Sequence, residues 1–129
     1  MQPLPSSPSR LVRTVLLAQG AYYVATGVWP LLDRRSFEAV TGPKTDFWLV
    51  RTVGALIGVT GATMLVAAAR QQPAPDTAVL AAGSAAALAS VDTIYASGGR
   101  ISRIYLLDAI AELAFIAGWF AALAPGRRI

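Results

Sequence analysis

Four long apolar runs, over residues 11–32, 46–69, 77–97 and 101–123, constrain this chain more than any other feature of it. Each is close to the roughly 20 residues that cross the hydrocarbon of a bilayer. A backbone surrounded by lipid must satisfy its own hydrogen bonds, so runs of this length read as helices. The breaks between them have local causes. Residues 33–45 carry charge and Gly42-Pro43, residues 70–76 carry Pro73 and Pro75, and Ser97-Gly98-Gly99-Arg100 is a tight turn. Connections this short place successive helices antiparallel, so the predicted fold is all-α, a transmembrane four-helix bundle with up-down-up-down topology. Pro30 is expected to end or kink the first helix.

The bundle is expected to be one domain over residues 10–124, flanked by a disordered tail over residues 1–9 and a short basic tail over residues 125–129. The uncharged stretch after Arg13 is longer than the apolar core of a signal peptide, and no soluble domain follows it, so it is read as a retained span. Hydrophobic residues make up 55% of the chain and charged residues 14%, too apolar a balance for an ordinary soluble domain. The net charge of +4 does not imply nucleic acid, because the basic residues stand singly or in pairs between apolar runs. The partners it implies are membrane lipids with anionic headgroups. Five basic residues fall on each side of the predicted bundle, so charge sets no orientation. The expected localisation is the inner (plasma) membrane, as a multi-pass protein.

With no cysteine and no histidine, the chain lacks a thiol nucleophile, thiolate and imidazole metal ligands, and the usual general base. No metal site and no cofactor are therefore expected. Chemistry would have to rest on carboxylates, arginine, tyrosine, hydroxyls or backbone. Four charged residues lie within the spans: Arg51, Asp92, Asp108 and Glu112. Each costs about 2.5–3.5 kcal/mol at a span centre, so each needs a reason to be there. Counted at 1.5 Å of rise per residue, Arg51, Asp92 and Asp108 lie roughly 7 to 11 Å below one surface, and Glu112 is a turn deeper on the face of Asp108.

These four are the expected ligand- or proton-binding set, with Thr26, Trp48, Tyr95 and Tyr105 lining the pocket around them. Three carboxyls against one arginine leave excess negative charge, which in a low dielectric calls for a proton, a cation or water. An Arg51 pair with Asp92 or Asp108 that merely locks the helices together accounts for part of the pattern without any ligand. The glycines Gly54, Gly58 and Gly61 lie on one face of the second span, where small residues let helices approach closely. The alanines from Ala81 to Ala89 point to the third span as the closely packed inner helix, and Trp29, Trp48 and Trp119 lie near span ends, where indole rings favour the headgroup level.

The succession Gly27-Val28-Trp29-Pro30, then Arg51-x-x-Gly54-Ala-Leu-x-Gly58-x-x-Gly61, then Asp92, then Asp108-x-x-x-Glu112 resembles small four-helix bacterial membrane proteins of the DoxX-like kind. That resemblance implies a compact four-helix fold and a quinone or redox partner. It supplies no catalytic residues. From the residues themselves, the expected function is binding of a small cationic or amphipathic ligand in the pocket, with proton-coupled transport, by a homodimer, as its extension. The alternatives are a non-catalytic subunit of a larger membrane complex and an intramembrane lipid- or isoprenoid-modifying enzyme that uses acid catalysis.

Overall fold

The computed structural model describes residues 10–70 and 74–124; the two expected tails lie outside the described residues. The described residues form four long helices, α1 (Arg10–Leu32), α3 (Phe47–Ala69), α4 (Pro75–Ser97) and α5 (Tyr105–Leu123), and a short one, α2 (Arg34–Thr41), between the first two. All four long helices have the length and composition to cross a membrane, and they run up, down, up, down. Their outward faces carry large apolar side chains such as Leu17, Leu56, Val59, Val79, Ile110 and Phe120. Water would disfavour such a surface and lipid favours it, so this is an integral membrane protein that crosses the bilayer four times.

Glycine pairs set the closest contact. A Cβ built on Gly27 would lie 2.5 Å from the carbonyl oxygen of Gly54, and one on Gly61 would lie 2.6 Å from that of Gly20. The backbones of α1 and α3 can meet there only because no side chain intervenes. In both helices the glycines are seven residues apart, two turns, so the two pairs stack along a single antiparallel seam. Gly58, by contrast, has room: a Cβ there would be 3.7 Å from Val28 Cγ2. Of the three expected packing glycines, Gly54 and Gly61 thus make the close approach, and their partners Gly20 and Gly27 come from the first span.

The second pair, α4 and α5, joins α1 through polar contacts. Gln19 is fully buried; its Nε2 donates to the carbonyl oxygen of Ala81 at 2.8 Å, and its Oε1 accepts from Trp119 Nε1 at 2.7 Å. One side chain therefore ties three helices. Trp119 is in the core, with its N–H satisfied inside the bundle. The innermost helix is α1, which contacts α2, α3 and α5, whereas α4 buries only the stripe Ala81, Ala85, Ala89, Asp92 and Ala96. Small side chains did not make α4 central, because they also leave it little to hold neighbours with. Pro30 neither ends nor interrupts α1 before its last turn, which continues to Leu32.

Helix α2 is an addition to the four expected elements. Asp33 caps it, accepting from the Ser36 backbone N–H, and Gly42 at φ 94° ends it. Phe37 and Thr41, four residues apart, point inward, while Arg34 and Glu38 pair at 2.6 Å on the outer face. Lys44 Nζ donates to the carbonyl oxygens of Thr41 and Gly42 at the helix C-terminus.

Candidate functional site

The two ends of the bundle are filled differently. The packed core of Val15, Leu16, Met64, Ala67, Ala68, Ala81 and Trp119 occupies the half that contains the α1 N-terminus. The other half holds a cavity of about 800 Å³, within the roughly 300–1,000 Å³ range of small-molecule sites.

Its walls are mainly apolar. Trp29 and Pro30 come from α1, Phe37 and Val40 from α2, Leu49, Val53 and Ile57 from α3, Leu88 and Val91 from α4, and Ile104 and Leu107 from the α5 approach. The polar groups gather where α4 and α5 face α1. Asp92, Asp108 and Glu112 all line the cavity, together with Tyr22, Tyr23, Thr26 and Tyr105. Among the described residues, no lysine or arginine lines it.

Two phenols hold two of the acids. Tyr23 Oη donates to Glu112 Oε2 at 2.7 Å, and Tyr22 Oη donates to Asp108 Oδ1. The adjacent tyrosines reach acids one helical turn apart because α1 crosses the α5 face there, with Phe115 packed against both rings at 5.6 and 6.3 Å between centroids. Asp92 reaches the same cluster from α4. Glu112 is 0% exposed and Asp92 4%, yet Glu112 Oε1 and Asp92 Oδ2 have no hydrogen-bond partner among the described residues. Buried carboxylate oxygens are seldom left this way, and each calls for a proton, a water or a ligand to satisfy it.

Arg51 does not join the acids. Its guanidinium lies 5.0 Å from the Phe47 ring centroid, on an exposed side chain one turn into α3, and among the described residues the single ion pair is Arg34–Glu38. The expected Arg51 pair with Asp92 or Asp108 is therefore not formed. The physical reason is reach: five atoms of side chain carry an arginine near a span end to the surface. Trp48, 65% exposed, and Tyr95, 46% exposed, also lie outside the cavity, whereas Thr26 and Tyr105 line it.

Tyr22, Trp29, Phe37 and Thr41 line the site without having been singled out as site residues by the sequence. The tyrosines carried a signal: a phenol in an apolar span needs a polar partner, and acids on another span need donors. The residues of α2 gave none, because the helix itself was not expected.

At the outer end of the cavity the aromatic rings form a cover. Trp29 meets Phe37 edge-on at 5.2 Å and Phe37 meets Phe47 at 6.2 Å; Arg34 and Arg51 lie over Phe47, and Lys44 lies 5.1 Å from the Tyr105 ring centroid. Cations thus stand around the rim, on the water side of the rings, and the acids stand inside. No protein-family model, curated protein or solved structure matches the chain.

Proposed function

We propose that the cavity binds a small amphipathic cation, with Asp92, Asp108 and Glu112 taking its charge and the apolar walls taking its hydrocarbon. One observation carries this reading: among the described residues, three carboxyls and no basic side chain line a largely apolar cavity, and two of their buried oxygens are unpartnered. Three ionised acids without a counter-charge are costly in a low dielectric, so the cluster must share its charge with protons or with a bound cation. Among the described residues, no group of three or more His, Cys, Asp or Glu side chains is placed to hold a metal ion, so N–H donors of an ammonium group fit better than a coordinated metal. Tyr22 and Tyr23 fix two of the acids, and the unpartnered Glu112 Oε1 and Asp92 Oδ2 are left for the ligand. Exchange of a bound proton for the cation would make the same site a proton-coupled carrier. The DoxX-like resemblance of the sequence agrees with a place in a bacterial inner membrane.

Titration of dodecylammonium into the protein in phosphatidylcholine nanodiscs tests this. Removing one charge-assisted contact with Glu112→Gln or Asp108→Asn should raise Kd about 10- to 100-fold. Unchanged affinity in both variants would remove the carboxyls from ligand binding. A second reading draws on the apolar cavity walls that lead to Asp108 and Glu112: a lipid or isoprenoid held there would meet a carboxylic acid placed to protonate it. It predicts a new lipid product in membranes containing the wild type that is missing with Glu112→Gln.

A further inference from the structure

Building on that reading, we infer that the cation enters from the bilayer, sideways through the gap between α3 and α4, and is therefore a long-chain alkylammonium and not a water-borne small cation. Val53 on α3, Val91 on α4 and Leu107 on α5 line the cavity and are 50%, 47% and 61% exposed, more than a closed wall would allow. A residue that faces both the cavity and the outside marks an opening. These three lie within spans, so the opening faces hydrocarbon. Helices α3 and α4 touch little, since α3 is held by α1 and α4 by α5.

The water-facing end is more heavily covered, although Val40 on α2 also lines the cavity and is 49% exposed. Phe37 and Phe47 are buried there, stacked edge-on with each other and with Trp29, and α2 is pinned over them by the Asp33 cap and by Lys44 on its last carbonyls. A hydrophilic cation arriving from water would first meet Arg34, Lys44 and Arg51 around the rim, which repel it. An alkylammonium dissolved in the bilayer meets neither obstacle. Its nitrogen rests near headgroup level while its chain lies at the depth of the gap. Sliding between Val53 and Val91, it brings the nitrogen to acids that lie a short way below that level.

Stopped-flow mixing of dodecylammonium with the full chain in phosphatidylcholine nanodiscs, followed through Trp29 fluorescence, reads the entry rate. Narrowing the gap with Val53→Phe plus Val91→Phe should lower the association rate about tenfold or more, with a smaller change in Kd, whereas Val59→Phe, lipid-facing and away from the cavity, should leave it unchanged. Phe47→Ala, which loosens the aromatic cover from outside the cavity lining, should leave dodecylammonium entry unchanged. The chain has no cysteine, so Val53→Cys allows a control within one folded protein: benzyl methanethiosulfonate should slow entry and a reductant should restore it. An unaltered rate in the blocked proteins, or acceleration by Phe47→Ala, would overturn the lateral route while leaving Glu112-dependent binding, and the reading beneath it, intact. Absence of any Glu112-dependent binding of dodecylammonium would overturn both.

Discussion

Replacing Gly27 with alanine puts one methyl group into the seam between α1 and α3. The added Cβ would lie 2.5 Å from the Gly54 carbonyl oxygen and 2.6 Å from the Gly58 nitrogen, both backbone atoms that cannot rotate aside. Ordinary contact begins near 3.4 Å, so the helices must part by about 0.9 Å or tilt by an equivalent amount. Overpacking of this kind costs about 1–3 kcal/mol, and a clash against backbone belongs at the upper end. The expected loss of about 2–3 kcal/mol corresponds to an unfolding equilibrium constant about 30- to 150-fold larger. Reversible unfolding by dodecyl sulfate in mixed micelles measures it. Gly58→Ala, whose Cβ would meet only Val28 Cγ2 at 3.7 Å, and Gly83→Ala, whose Cβ would meet nothing within 4 Å, are the controls; both should stay within about 0.5 kcal/mol of the wild type. If Gly27→Ala unfolds with the same midpoint as Gly58→Ala, the seam does not hold the bundle as argued. The change should also be felt in the cavity, because Tyr23 is one turn from Gly27 and its hydrogen bond to Glu112 depends on where α1 lies.

Two further outcomes follow from the hydrogen bonds. Tyr23→Phe removes the donor to Glu112 Oε2 and leaves both oxygens of a fully buried carboxyl unpartnered, so it should cost about 1–3 kcal/mol in the same titration, and Tyr22→Phe, opposite the half-buried Asp108, should cost less; equal costs would contradict the assigned burial. Outside the spans, the Asp33 carboxyl is held below its usual range by hydrogen bonds from Ser36, and that of Glu38 is held below by the Arg34 guanidinium and then by the Lys44 backbone N–H. Because these folded values lie below those of the free chain, their support for α2 is complete above the ordinary carboxylate range and is lost as pH falls through the lowered values. Hydrogen exchange of residues 34–41, corrected for the intrinsic rate and compared with α1, should therefore speed up below about pH 4; a constant ratio down to pH 3 would rule out this role.

Apolar run length made the four spans and their antiparallel order legible, since lipid leaves a backbone few other options. Helix α2 was hidden by its eight residues, too few for a periodic pattern to stand out, although Asp33-x-x-Ser36 and Gly42 carry its cap signals. The seam between α1 and α3 was half legible. The glycines of α3 were visible as a stripe, but whether Gly58 or Gly61 makes the approach depends on which residues face them, and Gly20 and Gly27 were needed to decide it. Helix α4 misled because an alanine run suits a buried helix and a lipid-exposed one equally well.

The acids and the arginine separate on a physical ground that depth counting alone omits. Arg51 begins about as far from its span end as Asp92 does, and an aspartate has one methylene with which to reach water where an arginine has three and a wide guanidinium. At that depth, short acids stay inside and a long base leaves, here to lie over Phe47 at the rim. The consequence reaches beyond geometry. With Arg51 inside, the cluster would be a partly balanced lock between helices and would need no visitor. With Arg51 outside, the same three carboxyls become a cavity whose counter-charge must be supplied by protons or by something that enters, and the ring of bases at its water-facing rim makes the bilayer the easier direction for a cation to come from.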